Sequence, residues 1–379
     1  MSNQRKMKTI LSKTVLCFCI IFIAVSPTSL FSQEIPLKYG ITLCGAEFGE
    51  NNLPGTINVD YTYPKEIDID YFVAKGVDLI QLPIKWERVQ RVLGGPLDSL
   101  ELIYISNFID DCNDRKIEVT IVLQNFGKYQ KNCIDYVVGE SEVTAWHLKD
   151  FWVKMAAALK LKPNIYAYSL MAEPANMQSC IWVNTLQYVI SGIRTVDRNT
   201  ILLIEGNNYS NAATWFTYND NLKELKDPSD KLLFNAHCYF DYNFSGRYSY
   251  SFVKDGANEM IGVTRVKPFV EWLQKNNLNG FIGEFGVPKN DTKWLNVMNN
   301  FLTYLKLNNI GSSYWAAGQW WKDYPLSIQP EKNFIDQPQL QVFSKYFNKN
   351  KDLAKPNATQ IWTRLLNHNN YKNLKLTKA

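Results

Sequence analysis

Two glutamates carry most of the chemistry legible in this chain. Glu173 lies in Leu170-Met171-Ala172-Glu173-Pro174 and Glu284 in Phe281-Ile282-Gly283-Glu284-Phe285-Gly286, each directly after a short apolar run that reads as a buried strand. Breaking a glycosidic bond with retention needs one carboxylic acid to protonate the departing oxygen. It also needs one carboxylate to attack the anomeric carbon, about 5 to 5.5 Å away. Mutual repulsion and partial burial would raise the pKa of one member and keep it protonated near neutral pH. A single strand-end glutamate is more often a surface or salt-bridged residue. Two of them, in Gly/Pro-marked turns after the fourth and seventh strand-like segments, point to a shared cleft.

Eight such segments recur: Gly40–Cys44, Val77–Leu82, Glu118–Leu123, Ile165–Leu170, Ile201–Glu205, Leu232–Ala236, Phe281–Gly283 and Ser312–Trp315. Stretches with helical periodicity separate them, among them Glu66–Lys75, Glu101–Arg115, Ala145–Leu161, Trp182–Val196, Val263–Asn276 and Thr292–Leu307. Alternating strand and helix with parallel crossovers predicts α/β architecture, and eight repeats predict a single-domain (β/α)8 TIM barrel. Such barrels place functional residues at the C-terminal ends of their strands. No linker divides residues 36 to about 347, and no internal repeat of 20 to 50 residues is present.

The ends read differently from the body. Arg5, Lys6 and Lys8 precede an apolar stretch from Val15 to Val25, so residues 1–32 are expected to be a signal peptide cleaved near Ser32. That stretch is shorter than the roughly 20 residues of a membrane span. The barrel is assigned to 33–347 and a basic C-terminal extension to 348–379. The formal net charge of +5 misleads, because Arg5, Lys6, Lys8 and Lys13 supply four of those charges. Residues 345 to 379 hold eight cations against Asp352, which leaves the body acidic. An acidic body argues against a nucleic-acid surface.

Five cysteines remain after the signal: Cys44, Cys112, Cys133, Cys180 and Cys238. Cys133 and Cys180 follow strands that would be neighbours in the barrel, so they are the candidate disulfide, with free thiols as the alternative. No C-x-x-C pair exists and the chain has only three histidines, which speaks against a structural zinc site. The expectation is no metal and no cofactor.

In order along the chain, Gly45-Ala46-Glu47-Phe48-Gly49, Leu82-Pro83-Ile84-Lys85-Trp86-Glu87-Arg88, Asn125-Phe126-Gly127-Lys128-Tyr129, Glu173-Pro174, His237-Cys238-Tyr239-Phe240-Asp241, Gly283-Glu284-Phe285-Gly286 and Tyr314-Trp315-Ala316-Ala317-Gly318-Gln319-Trp320-Trp321 resemble glycoside hydrolase family 5. The similarity runs from about Gly40 to Pro330 and is nearest to the bacterial and fungal endo-β-1,4-glucanases. It implies Glu173 as acid/base, Glu284 as nucleophile, His237 orienting the acid/base and Tyr239 hydrogen-bonding the nucleophile. It also implies Trp315 as the floor beneath the cleaved sugar, with a cis peptide after it.

Three positions depart from that family pattern. Gln81 stands where an Arg precedes Leu-Pro, Gln124 where a His is usual, and Ala172 where an Asn precedes Glu-Pro. Alanine cannot supply the hydrogen bond to the sugar 2-hydroxyl, a contact that strengthens in the transition state. Loss of the arginine removes a charge that would keep Glu284 ionised; Lys85 and Lys128 are the candidate replacements. Asn125, Gln124, Gln81 and Ala172 are expected around the substrate. Trp86, Tyr129, Trp215, Trp315, Trp320, Trp321 and Tyr324 are expected in or beside strand-end loops, where rings can stack on pyranose faces, with core packing as the alternative for each; at least one of Trp320 and Trp321 is expected to line the cleft.

The sequence therefore predicts a secreted, monomeric, retaining glycoside hydrolase acting on β-linked, cellulose-like polysaccharide or oligosaccharide. It predicts no nucleic-acid partner and no membrane span once the signal is removed. A decorated or amino-sugar-containing exopolysaccharide is the alternative substrate for hydrolysis or transglycosylation. A catalytically weakened barrel that binds glycan is the alternative function.

Overall fold

The structure is a computed structural model that describes residues 35–347; the expected signal peptide and basic extension lie outside them. Eight parallel strands close into a barrel. They are β1 (Tyr39–Leu43), β2 (Leu79–Ile84), β3 (Glu118–Leu123), β6 (Ile165–Ser169), β7 (Ile201–Glu205), β8 (Leu232–His237), β9 (Gly280–Glu284) and β10 (Gly311–Ala317). The remaining two, β4 (Lys128–Lys131) and β5 (Ile134–Val137), form a separate antiparallel hairpin. Closure is made by β1, which pairs with both β2 and β10. Every barrel strand in the sequence reading is present, with ends displaced by at most two residues.

The barrel forms because its strands are apolar on both faces. In β1 and β2 every residue is buried, as expected where helices cover the outside of a parallel sheet and side chains fill the inside. The helices show the complementary one-sided pattern. Ala145–Leu159 buries Leu148, Phe151, Trp152, Met155, Ala156 and Leu159, spaced three and four apart along one stripe. Truncating a fully buried ring such as Trp152 to alanine would cost about 3 to 5 kcal/mol. Asp98 and Asp291 start their helices by accepting backbone N–H groups of Leu100, Glu101 and Lys293 at 2.9 to 3.1 Å.

The β4/β5 hairpin is the element that the sequence reading missed. Its two-residue turn, Asn132-Cys133, has both residues at positive φ, 53° and 62°, which is the conformation hairpin turns prefer. Asparagine tolerates this conformation but lacks the glycine partner that would have signalled it. The hairpin carries Cys133 to an exposed turn, and Cys180 is exposed in the first turn of helix Ser179–Ile193. Both thiols are free, so the candidate disulfide is not formed.

Candidate active site

Glu284 is the last residue of β9 and His237 the last of β8. Glu173 follows β6 by four residues, in a left-handed backbone conformation at φ 50°. An L residue there costs of order 1 kcal/mol, and the bend turns the side chain towards its neighbours. His237 Nδ1 lies 2.8 Å from Glu173 Oε1 and 3.5 Å from Glu284 Oε2. One polar atom of each of these three residues lies within 4.8 Å of the other two. The two carboxyl groups therefore face one shared gap. The same three groups could also ligate a cation.

Burial decides the electrostatics. Desolvation pushes the Glu173 carboxyl up to about 8. Glu284 is pushed up to about 7, again chiefly by burial, with His237 opposing the shift and Glu173 adding to it. Tyr239 Oη donates to Glu284 Oε2 at 2.9 Å and Gln124 Nε2 approaches Oε1 at 3.4 Å. Both contacts favour the carboxylate form of Glu284. Burial holds His237 below its usual value, against the opposing pull of the Glu284 charge. Two carboxyls with one environment richer in donors are thereby split into a more acidic and a less acidic partner.

The aromatic residues divide into two groups. Trp315 is half-buried and is joined to Ala316 by a cis peptide, as the family resemblance implied. Trp321 meets Trp315 edge-on at 5.9 Å and stacks on Tyr324 at 4.3 Å. Trp320 and Trp321 line an open groove of about 670 Å³ together with Phe48, Asp60 and Lys322. The loop carrying them leaves β10 at Gly318, whose φ of 141° and approach to the Cys44 carbonyl exclude a side chain. Asp68 holds the loop, accepting from Gln319 at 3.1 Å and Gln329 at 2.7 Å.

Trp86, expected to bind substrate, is in the core, and so are Tyr129 and Trp215, for which core packing was the alternative. Trp86 is fully buried against Tyr129 and Phe151, and Trp215 against Phe269 and Trp272. Asn125 is likewise used internally: its Oδ1 accepts from the Trp86 backbone and its Nδ2 donates to Glu87, each at 2.9 Å. Gln81 turns into the barrel, donating to Thr42 Oγ1 and the Gly283 carbonyl at 2.9 Å. Ala172 is buried and offers no polar group. Neither proposed lysine replaces the missing arginine. Lys85 faces Glu87, Glu50 and Glu47, and Lys128 pairs with Asp135.

One acidic group escaped the sequence reading altogether. Glu205, the last residue of β7, is fully buried and accepts from Ser169 Oγ and, at 2.8 Å, from Asn235 Nδ2. Its carboxyl is pushed up to about 8 by burial, against the lowering effect of those bonds. The signal was present: a carboxylate ends the apolar run Ile-Leu-Leu-Ile, as Glu284 ends its own.

A (β/α)8 barrel with a hydrogen-bonded carboxyl pair at its C-terminal rim, one member buried and one half-buried, has the fold and site of a glycoside hydrolase. A model of the cellulase family, glycosyl hydrolase family 5, matches residues 44–320, and the chain belongs to that family. It is 31% identical to endo-beta-1,4-glucanase B of Emericella nidulans over 82% of this chain and 91% of the relative. Among solved structures, an endoglucanase of Pseudomonas stutzeri in complex with cellobiose superposes with a TM-score of 0.77 at 34% identity, covering 82% of this chain and 92% of that one. An endo-beta-1,4-glucanase from Xanthomonas axonopodis pv. citri gives 0.76 at 30% identity, covering 82% and 98%. The chain is a hydrolase of this endo-β-1,4-glucanase type. No helix among the described residues is long and apolar enough to cross a membrane.

Proposed function

We propose that this chain is a secreted enzyme that cleaves β-1,4-glucan by double displacement. The observation that carries the reading is the pair Glu173 and Glu284, within 4.8 Å of each other and bridged by His237. In the first step Glu284 attacks the anomeric carbon while Glu173 gives its proton to the leaving oxygen, and a glycosyl ester forms on Glu284. In the second, Glu173 takes a proton from water, the ester breaks and the sugar leaves with its original configuration. Tyr239 and Gln124 hold the Glu284 carboxylate for attack. Trp315, Trp320 and Trp321 supply apolar faces for the sugar rings. Relatives named as endo-beta-1,4-glucanases support the linkage. Export rests on residues 1–32 of the sequence, and the N-terminal residue of protein recovered outside an expressing bacterium tests it.

The reaction is tested with carboxymethylcellulose and cellopentaose, by counting new reducing ends and following the first anomer released by proton NMR. Retention, together with loss of activity in Glu284→Ala, is expected; an inverted first product contradicts the assignment of Glu284.

Ala172 favours a second substrate reading. With no amide beside Glu173, the site lacks a donor for an equatorial 2-hydroxyl, so a sugar substituted at that position meets no lost contact. Faster cleavage of a 2-substituted or 2-amino β-glycan than of plain β-1,4-glucan would select it. Glycan binding without cleavage of any substrate would select the lectin-like alternative.

A further inference from the structure

Beneath the catalytic pair, inside the barrel, lies a small buried pocket of about 10 Å³ lined by Gln124, Ser169, Glu205, Asn235, His237 and Glu284 among others. Three of its residues hold buried acceptor oxygens without a hydrogen-bond partner: Glu205 Oε2, Asn235 Oδ1 and Gln124 Oε1. Buried polar oxygens of this kind are almost always paired, by protein or by ordered water. The pocket is of the size that holds a single water, and it offers polar partners. One water donates only two hydrogen bonds, so three acceptors need one more donor, from the Glu205 carboxyl or from the Thr42 hydroxyl that also lines the pocket.

The deficit closes if the carboxyl of Glu205 carries a proton. Glu205 Oε2 then donates to the water, and the water donates to Asn235 and Gln124. The surroundings favour that state. Glu205 is fully buried and no cation contacts it among the described residues, and burial outweighs the backbone N–H groups of Glu205 and Met171, which favour the charged form. The close packing leaves little freedom: a Cβ at Gly283 would lie 2.5 Å from Asn235, so the glycine is required for Asn235 to reach Glu205. On the other side of the pocket, Gln124 turns its Nε2 to Glu284 Oε1 at 3.4 Å.

We propose that Glu205 is a positioning residue for the hydrolysis: as a neutral carboxylic acid it binds one buried water and, through it, fixes the Gln124 amide with its N–H group towards Glu284. The proposal rests on the reading of Glu284 as the attacking group. It assigns to the Gln124 amide a support on the side away from Glu284. Glu205 touches neither substrate nor reacting atoms, so its effect falls on kcat rather than on substrate affinity.

The test compares Glu205→Gln, Glu205→Leu and Gln124→Met in the full chain, with cellopentaose as substrate. Glutamine keeps the shape, the neutrality and a donor, so Glu205→Gln is expected to retain kcat within about three-fold. Glu205→Leu is expected to lower kcat at least ten-fold with KM within two-fold. Combined with Gln124→Met, Glu205→Leu should add little further loss, because the two act along one path. A Gln variant as impaired as the Leu variant, or losses that multiply in the double variant, would overturn the proposal. Should Glu205→Leu fail to fold, infrared difference spectra of wild type against Glu205→Gln decide it. A protonated-carboxyl band present only in the wild type is expected, and its absence overturns the proposal. A wild type that releases no reducing ends from any β-glucan, but keeps the band, faults the hydrolase reading instead.

Discussion

His237 Nδ1 stands 2.8 Å from Glu173 Oε1 and is itself almost wholly buried. Burial lowers the His237 pKa, and the contact fixes the direction of the Glu173 carboxyl, whose own pKa is raised by desolvation. Replacing His237 by alanine is expected to reduce kcat about 10- to 100-fold, a fraction of what positioned general acid–base catalysis supplies. Steady-state kinetics on cellopentaose, with a thermal melt to show retained folding, measure this.

The pH profile follows from the same pair. On the proposed roles, the productive form has Glu173 protonated and Glu284 ionised, with carboxyls pushed up to about 8 and about 7 respectively. Activity should therefore rise as pH climbs through about 7 and fall as it passes about 8, a narrow bell in kcat/KM belonging to the pair as a whole. An optimum near pH 4 to 5 would mean that the carboxyls keep ordinary values and that burial does not govern the site.

Tyr239 provides a separate handle on Glu284. Its hydroxyl donates at 2.9 Å and lowers the carboxyl's pKa. Removing it in Tyr239→Phe should move the acidic limb of the bell to higher pH. It should also cut kcat about ten-fold or more, as expected for a hydrogen bond to a charged group worth about 1.5 to 3 kcal/mol. A shift in the alkaline limb alone would mean that the phenol acts on Glu173.

Trp320 lies in the open groove, away from the reacting atoms. Its truncation to alanine should weaken binding of long glucans by about 1 kcal/mol, raising KM about five-fold with a smaller change in kcat. Affinity measured for cellopentaose against cellobiose separates this from a folding defect, since only the longer ligand should respond.

Stability should respond to Glu205 as well. Its folded-state carboxyl, near about 8, lies above the ordinary glutamate value, so the folded protein binds a proton that the unfolded chain releases. The stabilisation is complete below about pH 4.5 and is lost as pH rises to about 8, at roughly 1 kcal/mol per pH unit. Thermal midpoints of the wild type should fall more steeply across that window than those of Glu205→Gln.

How much was legible varies with the range of the interaction. Strands such as Glu118–Leu123 and Ile201–Glu205 fall where their apolar runs predicted, because a strand buried on both faces needs only local composition. Glu284 announced itself as a carboxylate ending such a run. Trp86 and Trp215 did not reveal their burial, since a loop-adjacent tryptophan looks the same whether its ring faces a cleft or a helix. Gln81 looked like a weakened substrate contact, yet its amide is bound to Thr42 and Gly283.

Residue type and spacing alone determined the barrel and the two glutamates at its strand ends, because periodicity and strand-end placement are properties of short segments. The closing of the barrel decided the rest. It brought Glu173 and Glu284, 111 positions apart in the chain, to one histidine. It also buried Glu284 and half-buried Glu173, raising both carboxyls by unequal amounts. Distance and desolvation belong to the assembled molecule, and no segment of the chain carries them by itself.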